Sequence, residues 1–483
     1  MRFRVTHIML LICLFIAPRL VQAQQPVTIT GDAPFAANEE IRLLIFDDLL
    51  NNIPTVVSSD KIDKNGKFKL SYSTNQIKMA QLAIRTTKAE FFVVPNNSYN
   101  FHITVDTVLF QLVNPEKYGG YLQITTDNTD TNDLNYKINR FSNYFSRAMN
   151  YYGFRITYDH DMAAYDTLTD LLHNHFDIQY NPLNFYQSYA YYTCGMLDKL
   201  CLSKESRQFY QKYFDNDYIL YNNPAYMMLF AENYSGYLYN SRYISKDLLS
   251  RTINEEPDYL TLFNETGRDP MLTNERIREL VLILNLIELH DNEEFDAGNT
   301  VKLLQYIKAS SHFPEHIIYI DNALARFTPN QEIDRSLSLK NSKGKKTSLK
   351  QFEGKDIYVQ LFQSDCIDCI REMIIMQEFQ KRYGEKLHFI SISIDPDREQ
   401  YEKFCKKYEE MFTWPILHFD GNYDWLMENG IETLPEYMIM KDNGQIIDRY
   451  IPFPEDGLYD YLQKHYPINI QEEEDNPFIR NKQ

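Results

Sequence analysis

The segment from residue 355 to residue 394 carries two short apolar runs with a helical stretch between them. The runs read KDIYVQLF (355–362) and KLHFISISI (386–394), and residues 366–383 have the apolar spacing of a helix. Short runs without polar alternation are typical of strands buried on both faces, and a crossover helix joins such strands in a parallel sheet. The segment therefore predicts a strand–helix–strand unit.

The flanking residues extend this unit into a mixed sheet. LSLKNSKGKKTSL, from residue 337, predicts a hairpin that turns at Lys343-Gly344, and a helix, the strand PILHF and a pair of strands turning at Asn443-Gly444 follow Asp395. A closing helix is predicted at about 457–465. Because an antiparallel pair ends a parallel unit, the sheet is predicted to be mixed.

Two cysteines, Cys366 and Cys369, lie where the first buried strand passes into the helix. At the start of a helix, unpaired N–H groups and the helix dipole stabilise an anion, so the thiolate of Cys366 is predicted to be the nucleophile. Cys369, one turn deeper and shielded from solvent, is predicted to resolve the mixed disulfide. The pair itself would carry the electrons, with no bound cofactor and no metal.

Three carboxylates, those of Asp365, Asp368 and Glu372, surround this pair in the sequence. Negative charge near Cys366 opposes formation of its thiolate and so makes the disulfide form easier to reach. A pair in such surroundings is predicted to act as a reductant.

With these residues in view, positions 337–467 resemble the exported thioredoxin-like family of TlpA and ResA type. The resemblance is carried by SLKQFEGKDIYVQLF, CIDCIRE, ISISIDPDREQYEKF and IETLPEYMIMKDNGQII. It implies a thioredoxin-like fold in which Pro435 is the cis-proline and the backbone of Leu434 pairs with an extended substrate. Two departures, Asp365 in place of a tryptophan and Ile374 in place of a proline, affect the partner surface and the redox potential.

The same resemblance matches Glu372 to a glutamate beneath the cysteine pair of the ResA-type proteins. It implies that Glu372 tunes the thiols or carries the proton that Cys369 exchanges. The alternative is a solvated helix residue without a redox role.

The rest of the chain is predicted to form two further domains. Residues 24–115 alternate like the strands of an antiparallel β-sandwich, with a hairpin at Lys64-Asn65-Gly66, and they resemble a small sandwich of unknown role that precedes thioredoxin-like domains in exported proteins. Residues 116–333 are predicted to be an all-α domain, with 123–135 as a linker. The multi-domain chain then continues with the α/β thioredoxin-like domain (334–468) and an acidic tail (469–483).

Other reactive side chains fit structural roles better than catalytic ones. Cys194 and Cys201 lie too far apart along one helix for a disulfide, and Cys405 lies on an apolar helix face. The pairs His173/His175 and His312/His316 lack the geometry of a metal site. The chain also lacks the motifs of Ser-His-Asp hydrolases and of nucleotide-binding loops.

The N-terminus predicts export. Residues 1–23 combine Arg2 and Arg4, an apolar run too short to span a bilayer and a small residue at Ala23, the pattern of a cleavable signal peptide. A lipoprotein anchored at Cys13 is disfavoured because Ile12 is not small. The net charge of −18 argues against binding to nucleic acid.

Together these features predict a periplasmic, cell-envelope thiol–disulfide oxidoreductase that reduces disulfides of exported proteins. The resemblance implies a membrane electron donor upstream. The alternative is a cell-envelope binding or assembly protein in which the thioredoxin-like module is vestigial. The oligomeric state, the client and the role of the first two domains do not follow from the sequence.

Overall fold

A computed structural model describes residues 24–84, 87–105, 122–201, 207–216, 218–327, 339–395, 398–419, 431, 434–441, 446–448 and 451–468. The predicted signal peptide (1–23), the acidic tail (469–483) and the turn at Asn443-Gly444 lie outside the described residues. None of the helices within these ranges combines the length and the apolar character needed to cross a bilayer.

The first region is a sandwich of two four-stranded sheets, as predicted. Its strands are β1 (Gln25–Asp32), β2 (Glu40–Asp48), β3 (Ile53–Lys61), β4 (Lys67–Thr74), β5 (Lys78–Ile84), β6 (Thr87–Val93), β7 (Ser98–Val105) and β8 (Leu122–Thr126). The sheet orders are β4-β1-β7-β8 and β3-β2-β5-β6, and one buried apolar cluster lies between them. The sandwich is antiparallel except for β1 and β7, which pair in parallel.

Two sequence predictions for this region were wrong. The turn at Lys64-Asn65-Gly66 forms, with Gly66 at φ +80°, but β3 and β4 do not make a hairpin, because they belong to different sheets. Packing of their apolar faces on the common core decides the pairing. The boundary at 115/116 also falls too early, since β8 pairs with β7 and completes the first sheet.

The middle region is helical, as predicted. Its α-helices are α1 (Leu134–Thr157), α2 (Met162–Phe176), α3 (Phe185–Cys201), α4 (Arg207–Tyr213), α5 (Pro224–Tyr234), α6 (Tyr237–Asn240), α7 (Lys246–Ser250), α8 (Tyr259–Thr266), α9 (Glu275–His290), α10 (Ala297–Ser310) and α11 (Pro314–Phe327). Cys194 and Cys201 are free thiols on α3, as predicted from their spacing. Burial raises the pKa of Cys194 to about 12, which makes it an unreactive thiol.

The C-terminal region is a seven-stranded sheet with helices. Its elements are β9 (Leu339–Asn341), β10 (Lys346–Thr347), β11 (Asp356–Phe362), α12 (Ile367–Tyr383), β12 (Leu387–Ser393), α13 (Arg398–Lys407), β13 (Ile416–Phe419), β14 (Glu436–Met440), β15 (Ile446–Asp448) and α14 (Leu458–His465). The strand order is β10-β9-β13-β12-β11-β14-β15. β11, β12 and β13 run parallel, and the outer pairs are antiparallel, so the prediction of a mixed sheet is confirmed.

Candidate active site

The two cysteines lie at the carboxyl end of β11, where the chain turns into α12. Cys366 is the N-cap residue of this helix, and its Sγ accepts a hydrogen bond from the backbone N–H of Cys369 at 3.1 Å. A separation of three residues places the second sulfur one turn further along the helix, and the two cysteines form a disulfide. The helix start therefore directs the backbone N–H of Cys369 at the Cys366 sulfur, a position that would stabilise a thiolate.

Both cysteines are enclosed in this disulfide form. Cys366 is 1% exposed and Cys369 is fully buried, whereas Ile367 between them is 77% exposed. Shielding was predicted from the sequence for Cys369 only. Burial of the first follows from its place in the main apolar cluster of the region.

Leu434 and Pro435 lie immediately before β14, which pairs with β11. Their peptide bond is cis, and the next residue, Glu436, begins β14 opposite Leu361 near the end of β11. Leu434 is buried in the same apolar cluster as Cys366 and Cys369. The register of β14 against β11 thus brings together residues that are about 65 positions apart, the separation expected from the sequence.

Glu372 lies on α12 three positions after Cys369, on the same side of the helix. It is 3% exposed, so the alternative of a solvated helix residue was wrong. Its Oε2 accepts the backbone N–H of Glu455 at 3.1 Å. Burial is the main cause of a raised pKa for Glu372. The Glu455 carboxylate raises this pKa further, whereas the Glu455 backbone N–H and the Arg371 charge lower it.

Arg371 is a residue that the sequence analysis missed. Its guanidinium lies 3.3 Å from Asp368 Oδ1, 3.0 Å from Glu455 Oε2 and 3.9 Å from Glu372 Oε1. Its spacing of three residues from Asp368 on a helix was the available signal for the first of these contacts. Of the three carboxylates that were expected to oppose the thiolate, Asp365 is exposed, while Asp368 and Glu372 share Arg371 as a counter-charge.

Asp395 was treated only as the residue before a helix, yet it supports the loop that leads into Cys366. Its buried carboxylate accepts the backbone N–H of Ser364 at 2.9 Å and the hydroxyl protons of Ser364 and Ser393. Burial raises the pKa of Asp395, and these hydrogen bonds lower it. The carboxylate thus fixes the backbone two residues before the first cysteine.

Gln360 connects the same helix to the centre of the sheet. Its Nε2 donates to the carbonyl oxygen of Cys369 at 3.3 Å and to the hydroxyl of Tyr437 at 3.2 Å. Its Oε1 accepts from Ser391, which in turn accepts from the indole N–H of Trp414. An amide inside an otherwise apolar strand was the sequence signal for this network.

Within the described ranges, no group of three or more His, Cys, Asp or Glu side chains could hold a metal ion. Cys405 is a free, partly buried thiol that packs against the main apolar cluster, and burial raises its pKa to about 11.

Residues 322–462 match the protein-family model described as Redoxin. The C-terminal part of this chain is a redoxin domain. The match begins within α11 and covers the cysteine pair, Glu372, Leu434 and Pro435. The predicted thioredoxin-like oxidoreductase class is confirmed for this domain.

Curated relatives match about a quarter of this chain. The chain is 28% identical over 126 residues to the thiol-disulfide oxidoreductase ResA of Bacillus thuringiensis subsp. konkukian. The aligned segment covers 26% of this chain and 71% of that protein. It is 27% identical over 117 residues to the thioredoxin-like protein YneN of Bacillus subtilis, covering 24% of this chain and 66% of the relative. A solved thiol-disulfide oxidoreductase from Bacteroides fragilis is 25% identical, with a TM-score of 0.24, over 26% of this chain and 95% of its own.

Proposed function

We propose that this protein is an exported thiol–disulfide oxidoreductase that reduces disulfides in other exported proteins. One observation carries the proposal: a disulfide between Cys366 and Cys369 at the start of α12, with Leu434 in the same buried cluster. The redoxin match and the ResA relatives support the same chemistry. The proposed catalytic residues are Cys366, Cys369 and Glu372. Leu434 and Pro435 are proposed to contact the substrate.

The proposed reaction has two exchange steps. The thiolate of Cys366 attacks a client disulfide, which forms a mixed disulfide and releases one client thiolate. Cys369 then gives its proton to the carboxylate of Glu372 and attacks Cys366 Sγ, which releases the second client thiolate. Two electrons pass to the client, and the protein is left with the Cys366–Cys369 disulfide. A dithiol donor in the membrane would restore the reduced pair.

The cellular location is part of the proposal. The signal-peptide pattern of residues 1–23 and the envelope setting implied by the family resemblance support export to the periplasm. A reductase in that oxidising compartment needs the electron donor named above. Detection of the processed protein after osmotic shock would test this location, and its retention in the cytoplasmic fraction would contradict it.

Insulin reduction by dithiothreitol tests the chemistry. We expect the wild type to accelerate insulin precipitation and Cys366→Ser to fall to the rate of dithiothreitol alone, because the nucleophile is lost. The matched control is Cys405→Ser, which removes a thiol outside the pair and should leave the rate unchanged. Equal rates for the wild type and Cys366→Ser would reject the oxidoreductase.

Clients can be captured with Cys369→Ser, which cannot resolve the mixed disulfide. Client proteins joined to Cys366 should be released by a reductant and should be absent from the double variant Cys366→Ser/Cys369→Ser. No capture across an exported proteome would count against a general reductase.

Enclosure of both sulfurs favours one alternative, a cell-envelope binding or assembly protein with a vestigial redox module. In that case the reduced Cys366 thiol should resist both a small alkylating agent and a peptide disulfide. The oxidoreductase requires that it react with both.

A further inference from the structure

Glu372 is buried, although the proposed reaction requires it to take up a proton and to release it again. The inference below therefore rests on the proposed function. When Cys369 attacks the mixed disulfide, its thiol proton must pass to a nearby base, and Glu372 is the carboxylate one turn away. Groups that contact Glu372 then decide the pH at which this base is available.

Two charged groups of opposite sign contact Glu372 at its solvent side. Glu455, from the loop before α14, donates its backbone N–H to Glu372 Oε2, and its own side chain is 55% exposed. The guanidinium of Arg371 lies 3.0 Å from the Glu455 carboxylate and 3.9 Å from that of Glu372. One cation thus lies against two carboxylates that reach it from different elements.

The other groups that face Glu372 differ from Arg371 and Glu455 in charge or in the partner that they contact. Asp368, on the same helix, lies against the other Nη atom of Arg371. Tyr358 of β11 and Tyr437 of β14 interact with Glu372 from the sheet, but burial keeps the pKa of both phenols raised, so both stay neutral. Among the described residues, the charged side chains that act on Glu372 from close range are those of Arg371 and Glu455.

We propose that Glu455 and Arg371 are positioning residues with opposed effects on Glu372. The carboxylate of Glu455 favours the protonated form of Glu372, and the guanidinium of Arg371 favours the carboxylate form. Together they set the pH above which Glu372 can accept the proton of Cys369. Their contacts also attach the 451–457 loop to α12 beside the cysteine pair.

The two residues are therefore expected to move the resolving step in opposite directions. Glu455→Gln keeps the backbone N–H and the side-chain length but removes a negative charge, so Glu372 ionises at lower pH. Arg371→Gln removes the positive charge, so Glu372 ionises at higher pH. Since both side chains are about half exposed, water and salt weaken each effect.

Reduced protein mixed with 5,5′-dithiobis(2-nitrobenzoate) gives the measurement. Attack by Cys366 releases one thionitrobenzoate, and attack by Cys369 on the resulting mixed disulfide releases the second. The second phase is assigned by its absence in Cys369→Ser, and its rate is followed from pH 5 to pH 9 in low salt. This readout needs neither a client nor the membrane donor.

We expect the midpoint of the pH profile of the second-phase rate to move down by about half a pH unit in Glu455→Gln. In Arg371→Gln we expect it to move up by about half a pH unit. When Glu372 has already been replaced by Gln, adding Glu455→Gln should leave the midpoint of the pH profile unchanged. Arg371→Lys should restore most of the wild-type profile.

Unchanged midpoints, shifts of the same sign, or a Glu455→Gln shift that persists without Glu372 would overturn the inference. Absence of the second phase in the wild type would instead reject the proposed function. Both tryptophans, Trp414 and Trp425, lie in the C-terminal part of the sequence, so a melt followed by tryptophan fluorescence checks folding of each variant.

Discussion

Asp395 has no exposed surface, and its carboxylate holds the serine that lies two residues before Cys366. A buried carboxylate is costly unless hydrogen bonds satisfy it, and here one backbone N–H and two hydroxyl groups do so. At the scale of single residues, the nucleophile is thus positioned by a side chain that lies about thirty positions further along the chain.

Asp395→Ala should lower the free energy of unfolding by about 2–3 kcal/mol, because it leaves the amide and hydroxyl of Ser364 without their acceptor. The measurement is urea unfolding of the full chain, followed by tryptophan fluorescence. The matched control is Asp365→Ala, an exposed site where a change within about 0.5 kcal/mol is expected. Equal losses at the two positions would refute the role assigned to Asp395.

Glu372→Gln should change how stability depends on pH. Burial raises the pKa of Glu372 above its ordinary value of 4.5, so the folded protein holds a proton that the unfolded chain releases. The stability gained from this proton is fully present below pH 4.5 and is lost as pH rises through the raised value. The fluorescence melting temperature of Glu372→Gln, relative to the wild type, should therefore be higher at pH 8 than at pH 4.

A second variant corrects that comparison for the loss of one charge from α12. Glu378→Gln removes a half-exposed carboxylate from the same helix. If both variants show the same dependence on pH, burial of Glu372 is not its cause.

At the scale of elements, α12 is fixed to the sheet by polar contacts as well as by apolar packing. The side chain of Gln360 on β11 reaches the carbonyl oxygen of Cys369, and through Ser391 it is linked to β12 and Trp414. Such a network restricts the position of the helix start relative to the strand. The redox pair is thereby placed by contacts of α12 with β11 and β12 as well as by the loop that Asp395 holds.

Gln360→Leu preserves side-chain volume but leaves buried polar partners unsatisfied, so it should cost about 1–3 kcal/mol of unfolding free energy. Ser391→Ala should cost a similar amount. Because the two residues share one network, the double variant should be less destabilised than the sum of the single variants. Urea unfolding measures all three, and additive losses would show that the network does not act as a unit.

At the scale of the whole molecule, the first two regions pack against each other. The side chain of Asn135 on α1 both accepts from and donates to the backbone of Phe92 in β6, and Asn322 on α11 donates to the buried carboxylate of Asp48. The sandwich and the helical region therefore support one another at two separate places.

The net charge of −18 should affect how clients reach the redoxin domain. A negatively charged protein attracts positively charged partners over long distances, and salt screens this attraction. A lysine-flanked peptide disulfide should therefore be reduced faster than a glutamate-flanked one, by up to about tenfold in 20 mM salt. The ratio of kcat/KM for the two peptides should approach one in 500 mM salt, and a ratio independent of salt would contradict steering.

Much of the fold followed from local patterns. Alternating and continuous apolar runs predicted the strands β11 and β12, and glycine turns predicted the β9–β10 hairpin, since these signals depend on neighbouring residues. The pairing of β3 and β4 and the position of β8 did not follow, because strand partners are chosen by packing between distant segments.

By itself, the sequence determined the cysteine pair at a strand-to-helix junction and the proline that would face it, because spacing and residue type are local properties. Only the tertiary structure decided that Glu372 is buried against Glu455, that Arg371 lies between their carboxylates and that both sulfurs are enclosed. Burial and charge contact depend on chain segments up to 84 residues apart, from Arg371 to Glu455, whose approach is fixed by the sheet register and by the packed core.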